Sequence, residues 1–137
     1  MRRRDQRREA VFALYQHDLT GQPIDDALRS DASEFTKALA HEVLEHRGEL
    51  DSLIQRHARD WPLDRIAPLE RAILRVALLE LLHGDEVPGD EPIPPEGAIE
   101  EAVETAKRFC SAPAPGFVNG VLGAALDEVR QNQRARG

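Results

Sequence analysis

A single cysteine, Cys110, is the chain's whole stock of thiol chemistry. That excludes an internal disulfide and fits a reducing compartment. Aromatic residues make up only 4% of the sequence, so any core must be aliphatic. Alternating runs of β-branched residues are missing while Ala, Leu, Glu and Arg dominate, which removes the signature of a sheet. Within the most apolar stretch, residues 63–82, the longest unbroken apolar run covers residues 76–79, far below the roughly 18 residues that a membrane span requires. The N-terminus is rich in arginine but lacks the apolar stretch of a secretory signal, so a cytoplasmic protein is expected. With no strand ahead of them, Gly116, Gly120 and Gly123 form no phosphate-cradling loop. Gly120 and Gly123 fall instead within a helical pattern, where close approach of another helix is the usual compensation for glycine.

What is present is helical. The chain of 137 residues, 41% hydrophobic, is sized for one domain that buries roughly two-thirds of its unfolded surface. Residues 1–60 form an N-terminal helical half and 61–137 a C-terminal one. The stretch LDRIAPLERAILRVALLELL at 63–82 organises both. Pro68 suits a first helical turn, and Gly84 stands just past the end as a C-cap candidate. Apolar residues fill most of this helix's circumference, which marks it as buried. Around it, the pattern predicts a first helix over 5–19, stopped by Thr-Gly-Gln-Pro, and a short turn at 24–29. Residues 30–33 offer N-caps for a helix carrying Phe35, Leu39 and Val43 as far as Gly48. A further helix, with Leu50, Leu53 and Ile54 on its stripe, ends before Trp61-Pro62. GDEVPGDEPIPPEG is the clearest loop. Ala98, Ile99, Ala102, Val103, Ala106, Phe109 and Cys110 then set an amphipathic helix. SAPAPG breaks it, and the last helix, from Phe117, frays into QNQRARG. The expected architecture is an all-α bundle of about six helices.

The formal net charge of −7 opposes nucleic acid, but its distribution does not. Arg2, Arg3, Arg4, Arg7 and Arg8 crowd the N-terminus, while acids gather further on. Such arginines sit badly at a helix N-terminus and repel one another, and a phosphate backbone would relieve both penalties. A solvated helix start is the plainer alternative. HEVLEH at 41–46 fails as a zinc motif, because its histidines lie about 140° apart around a helix. The remaining histidines are scattered, so no metal and no cofactor is expected. Cys110 sits on an apolar stripe and reads as core rather than nucleophile. No carboxylate is placed by sequence in a pocket that would tune it for catalysis, and no enzyme is expected.

Taken in order, RREAVFALYQ, APLERAILRVALLELL, EVP, AIEEAVETAKRF and FVNGVL resemble the NusB family of transcription antitermination factors. These blocks cover most of the chain, with only 24–60 matching weakly. The resemblance implies two small bundles of six to seven helices packed across each other. It also implies pairing with the ribosomal protein NusE on the single-stranded boxA element of nascent, chiefly ribosomal, RNA. Other antitermination factors and RNA polymerase would be engaged indirectly, and no membrane. By the resemblance, Arg3, Arg4 and Arg7 meet RNA, joined by the neighbouring Arg2 and Arg8, with Phe117 and Asn119 on the adjoining RNA surface. Tyr15, Asp64 and Glu70 match positions that contact NusE. Arg75 is the family's arginine in the same helix, and it reads equally well as an internal salt-bridge partner. Self-association into a homodimer is a further possibility the resemblance raises.

Three departures stand out. The 88–96 loop is longer and richer in proline than the family's. Glu100 replaces a common Asn, so that Pro94-Pro95-Glu96 becomes the expected helix start. Ala-Pro-Ala-Pro-Gly precedes Phe117 in place of a polar mixture. A rival reading keeps the fold but makes it a protein–protein module that ignores RNA. Related domains are fused to RNA methyltransferases, for which this chain has no room and no Gly-rich cofactor loop.

Overall fold

In the computed structural model, which describes residues 2–89 and 91–136, seven helices follow one another. They are α1 (Arg3–Thr20), α2 (Ile24–Ala27), α3 (Glu34–Glu45), α4 (Arg47–His57), α5 (Pro68–His83), α6 (Pro95–Phe109) and α7 (Ala114–Arg136). Short 3₁₀ turns at Leu63–Arg65 and Gly84–Glu86 flank α5. No strand occurs among the described residues. Met1, Asp90 in the acidic loop and Gly137 at the end of the tail lie outside the described residues.

The central helix behaves as its composition dictates. Every residue from Ala72 to Glu80 is buried, because α5 packs against α1, α3, α4, α6 and α7 at once. Leu74, Leu78 and Leu79 meet Leu39 of α3, Leu50 and Ile54 of α4 and Leu122 of α7 in one continuous aliphatic core. Arg71 fastens the approach to this helix. Its guanidinium donates to the carbonyls of Leu63 and Ile66 at 3.1 and 3.0 Å, closing the turn that leads into Pro68.

Local chemistry sets the other ends. Gly21 takes φ 74°, and its N–H closes α1 on the His17 carbonyl at 2.9 Å, a cap that favours glycine. Ser33 caps α3, its hydroxyl accepting from the Thr36 N–H at 3.1 Å. Pro95 opens α6 behind Pro94, with Glu96 in the first turn.

Several expectations change. The first helix begins at Arg3 rather than at residue 5, so Arg3 and Arg4 join Arg7 and Arg8 in the helix and Arg2 precedes it as the N-cap. The break between α3 and α4 falls at His46, and Gly48 lies inside α4. Gly84 takes right-handed angles and continues into a 3₁₀ turn, so it is no left-handed cap. A Cβ at Gly84 would come within 3.3 Å of Pro92, so it serves a close approach instead. The last helix starts at Ala114, with Pro115 in its first turn, and stays helical to Arg136. Nothing lies within 4 Å of a Cβ built at Gly120 or Gly123, so no helix approaches there. Phe109 is exposed and stands edge-on to Phe12, their centroids 5.0 Å apart.

If α5 is the keystone, Leu78→Ala should cost about 2–5 kcal/mol in urea denaturation, the range for emptying a tight apolar site. Leu19→Ala, at an exposed position, should stay within about 0.5 kcal/mol of the parent.

Candidate functional site

Helix α1 runs antiparallel to α5, and its arginines divide by what they face. Arg7 points inward. Its Nε donates to both oxygens of Glu80, at 2.8 and 3.0 Å, in a pair that is almost wholly buried. Burial pushes the Glu80 carboxyl up, and the Arg7 guanidinium pulls it only partly back. Arg3 stacks over the Phe35 ring at 4.0 Å and bonds Gln6. On its other side lies Gly89, at φ 140°, where an added Cβ would fall 2.5 Å from the Arg3 Nη2. The loop of glycine, proline and acid therefore folds back over Arg3, and only glycine fits there.

The rest look outward. Arg4 pairs with Glu101 of α6 through two 3.1 Å bonds but keeps half its side chain in solvent. Arg8 reaches Thr105 at 3.4 Å and lies 5.5 Å from the Phe109 ring centroid. Arg2 is exposed, and its side chain has no partner among the described residues. The repulsion expected within this cluster is thus relieved by carboxylates and rings of the protein's own α3, α5 and α6. Arg2 and Arg4 remain as an exposed cationic edge, with Arg8 half-buried beside them.

A second region surrounds the segment 61–67. On one side Asp64 lines a depression with Asp18, Arg47, Asp51, Arg71 and Arg75. Arg75 is 6% exposed and donates to the two Asp51 oxygens at 2.7 and 3.1 Å, the internal ion-pair alternative. Arg71 donates to Asp18 from two nitrogens, at 2.8 and 3.2 Å. Burial alone would raise the Asp18 carboxyl, but the bonds and charge of Arg71, with Arg75 and Arg47, hold it below its ordinary value. Its contribution to stability is therefore present above about pH 3.9 and lost as pH falls through the lower folded value.

On the other side, Glu70 lies in a cleft with Trp61, Arg65, Ile66, Pro113 and Phe117. No cation lies within ion-pair distance of Glu70 among the described residues, and burial pushes its carboxyl up. A half-buried carboxylate with no counterion, beside a Trp that is 53% exposed, is a surface poised for a complementary donor. Phe117 belongs to this cleft, and Asn119 is exposed on the following turn of α7. Tyr15, half-buried, packs against the core from α1. Sequence reasoning missed Trp61; its signal was a lone Trp ahead of a proline, read only as a helix stop. Cys110 caps α6 half-buried, and burial and then Glu70 push its thiol up, which disfavours the thiolate.

Comparison with known proteins places this geometry. The NusB family model matches residues 4–127. The transcription antitermination protein NusB of Rubrobacter xylanophilus is 38% identical, covering 94% of this chain and 93% of its own. That of Bacillus subtilis is 37% identical, covering 96% and 100%. Among solved structures, Thermotoga maritima NusB superposes with a TM-score of 0.80 at 29% identity, covering 93% of this chain and 92% of that one. A structure of the antitermination factors NusB and NusE in complex with dsRNA gives 0.76 at 29% identity, covering 92% and 96%.

The inward arginine is testable by its pH signature. Arg7→Ala leaves Glu80 buried and unpaired, and should cost about 3 kcal/mol at pH 7.5, at the low end for breaking a buried pair. With the folded carboxyl raised further, the unfolded chain holds fewer protons between its ordinary value and the folded one. The loss should therefore shrink as pH drops toward 5, and Arg7→Ala with Glu80→Gln should recover most of it.

Proposed function

Because the chain belongs to the NusB family of transcription antitermination proteins, we propose that it binds boxA-like RNA together with the ribosomal protein NusE and supports processive transcription. What carries the reading is the NusB–NusE–dsRNA complex, which matches this fold over 92% of the chain. The exposed Arg2 and Arg4, with the half-buried Arg8 beside them, supply the phosphate-facing charge, and Asn119 on α7 a polar contact to the same RNA. Arg3 and Arg7 support that edge from beneath, since Phe35 and Glu80 already occupy their guanidinium groups. Glu70, Trp61 and Phe117 form the recess for NusE, and Asp64, on the other side of the 61–67 segment, and Tyr15 on α1 give it further contacts. Arg75 contributes by holding Asp51 rather than by touching a partner. In this reading Phe117 serves the protein interface rather than RNA.

The mechanism is electrostatic division of labour. A body of net charge −7 is a poor polyanion binder by itself, so a basic partner docked against Glu70 both joins and partly neutralises it. The protein acts as an adaptor in the cytoplasm, without catalysis. No helix among the described residues is long and apolar enough to cross a membrane. The rival, a protein–protein module that ignores RNA, is favoured by one observation: Arg3, Arg4, Arg7 and Arg8 all have partners within the chain.

Polarisation assays with boxA RNA as a single strand and as a duplex, each with and without NusE, separate the two. The adaptor reading expects tighter RNA binding with NusE. Each phosphate contact should contribute about −0.7 to the log–log salt slope on single strands, so Arg2→Gln/Arg4→Gln/Arg8→Gln should flatten it by up to about 2. Glu70→Lys should weaken NusE binding about tenfold or more while leaving the melting temperature close to the parent's. NusE binding with no RNA binding at low salt would leave only the protein module.

A further inference from the structure

Two histidines that lie 37 positions apart in sequence meet where the α3–α4 junction faces the end of α5. Along the sequence, His46 belongs to a spacing that fails as a zinc motif, and His83 is one of the scattered histidines without a ligand-like partner. In the fold their rings stack, with centroids 3.8 Å apart and 14° between planes. The Glu86 carboxylate, on the 3₁₀ turn after α5, reaches both: its Oε2 lies 3.0 Å from His46 Nε2 and 3.1 Å from His83 Nδ1. One ligand atom from each of the three lies within 4.8 Å of the others. Behind the rings stands Glu49, 2.6 Å from His83 Nε2 and 3.8 Å from His46 Nδ1. Glu42 lies 3.4 Å from His46 Nε2, on the side facing Glu86.

We propose that His46, His83 and Glu86 bind a divalent transition-metal ion of the zinc class, with Glu49 as the carboxylate that orients both imidazoles. The donor spacing fits. Tetrahedral bonds of about 2.0–2.1 Å set neighbouring donors about 3.3 Å apart, close to the nitrogen–oxygen separations around Glu86. The backing fits as well. Metal-binding imidazoles commonly direct their second nitrogen at a carboxylate, and here one carboxylate stands on the far side of both rings. Two imidazoles with one carboxylate select a borderline metal over magnesium or calcium, which prefer all-oxygen shells. Glu42 or water completes the fourth position. The parallel rings turn apart so that both lone pairs converge on the ion, a motion open to side chains near the surface. Once bound, the ion ties the α3–α4 junction to α5 and to the base of the loop that covers Arg3.

Calorimetric titration of the untagged chain with zinc chloride, paired with cobalt(II) absorption, tests this. One ion per chain in the micromolar range is expected, with the visible bands of tetrahedral cobalt. His46→Ala or His83→Ala should abolish both signals, and Glu49→Gln should weaken binding about tenfold. His41→Ala, at an exposed site paired with Asp25, should change nothing. Should a histidine variant fail to fold by circular dichroism, Glu86→Gln on the exposed turn decides, with a clear loss of affinity expected. No binding by the parent chain, or undiminished binding by the His46→Ala/His83→Ala or Glu86→Gln variants, overturns the site.

Discussion

Helices α1 and α5 hold each other through two ion pairs of opposite sense, and most of the molecule is arranged around that fact. Arg7 near the start of α1 meets Glu80 near the end of α5, while Asp18 near the end of α1 meets Arg71 near the start of α5. Each charge sits at the unfavourable end of its own helix dipole and beside the favourable end of its neighbour's. The pairs lie eleven residues apart on α1 and nine on α5, or about 16 and 14 Å along the axes, so they fit only one antiparallel register. Sliding α1 by a turn would bury four charges without partners, which costs far more than a shifted aliphatic contact.

That register decides which arginines face solvent. With Arg7 turned to Glu80, Arg4 and Arg8 come round to α6, and Arg3 falls onto Phe35 under the acidic loop. A cluster that looks uniform as a string of letters is thus two populations, one that holds the fold and one that remains at the surface. The same logic separates Arg75 from Glu70, five residues away on the same helix. Arg75 finds Asp51 of α4 and disappears inside, whereas Glu70 faces a largely apolar recess and makes no ion pair among the described residues, although Arg65 lines the same recess.

Much of this was legible beforehand, and the gaps have physical reasons. The start of α5 at Pro68, the Ser33 cap and the Pro95 opening of α6 follow from local rules, because each depends on residues within one turn. The all-α character followed from composition, and the family from five sequence blocks. Placements set by distant residues could not be read. Gly84 looked like a left-handed cap, and only Pro92 beside it explains the glycine. Gly120 and Gly123 looked like a helix contact and face open space. His46 and His83 share no period, since their meeting depends on how α3 and α4 join against the end of α5.

The pairing of Asp18 with Arg71 is open to the most direct test, a double-mutant cycle built from Asp18→Ala, Arg71→Ala and the double variant, read by urea denaturation at neutral pH. A coupling of about 1 kcal/mol or more in favour of the native pair is expected for two charges bonded through two nitrogens with little of either side chain exposed. Additivity to within about 0.3–0.5 kcal/mol would mean that apolar packing alone sets the register of α1, and would contradict the clamp.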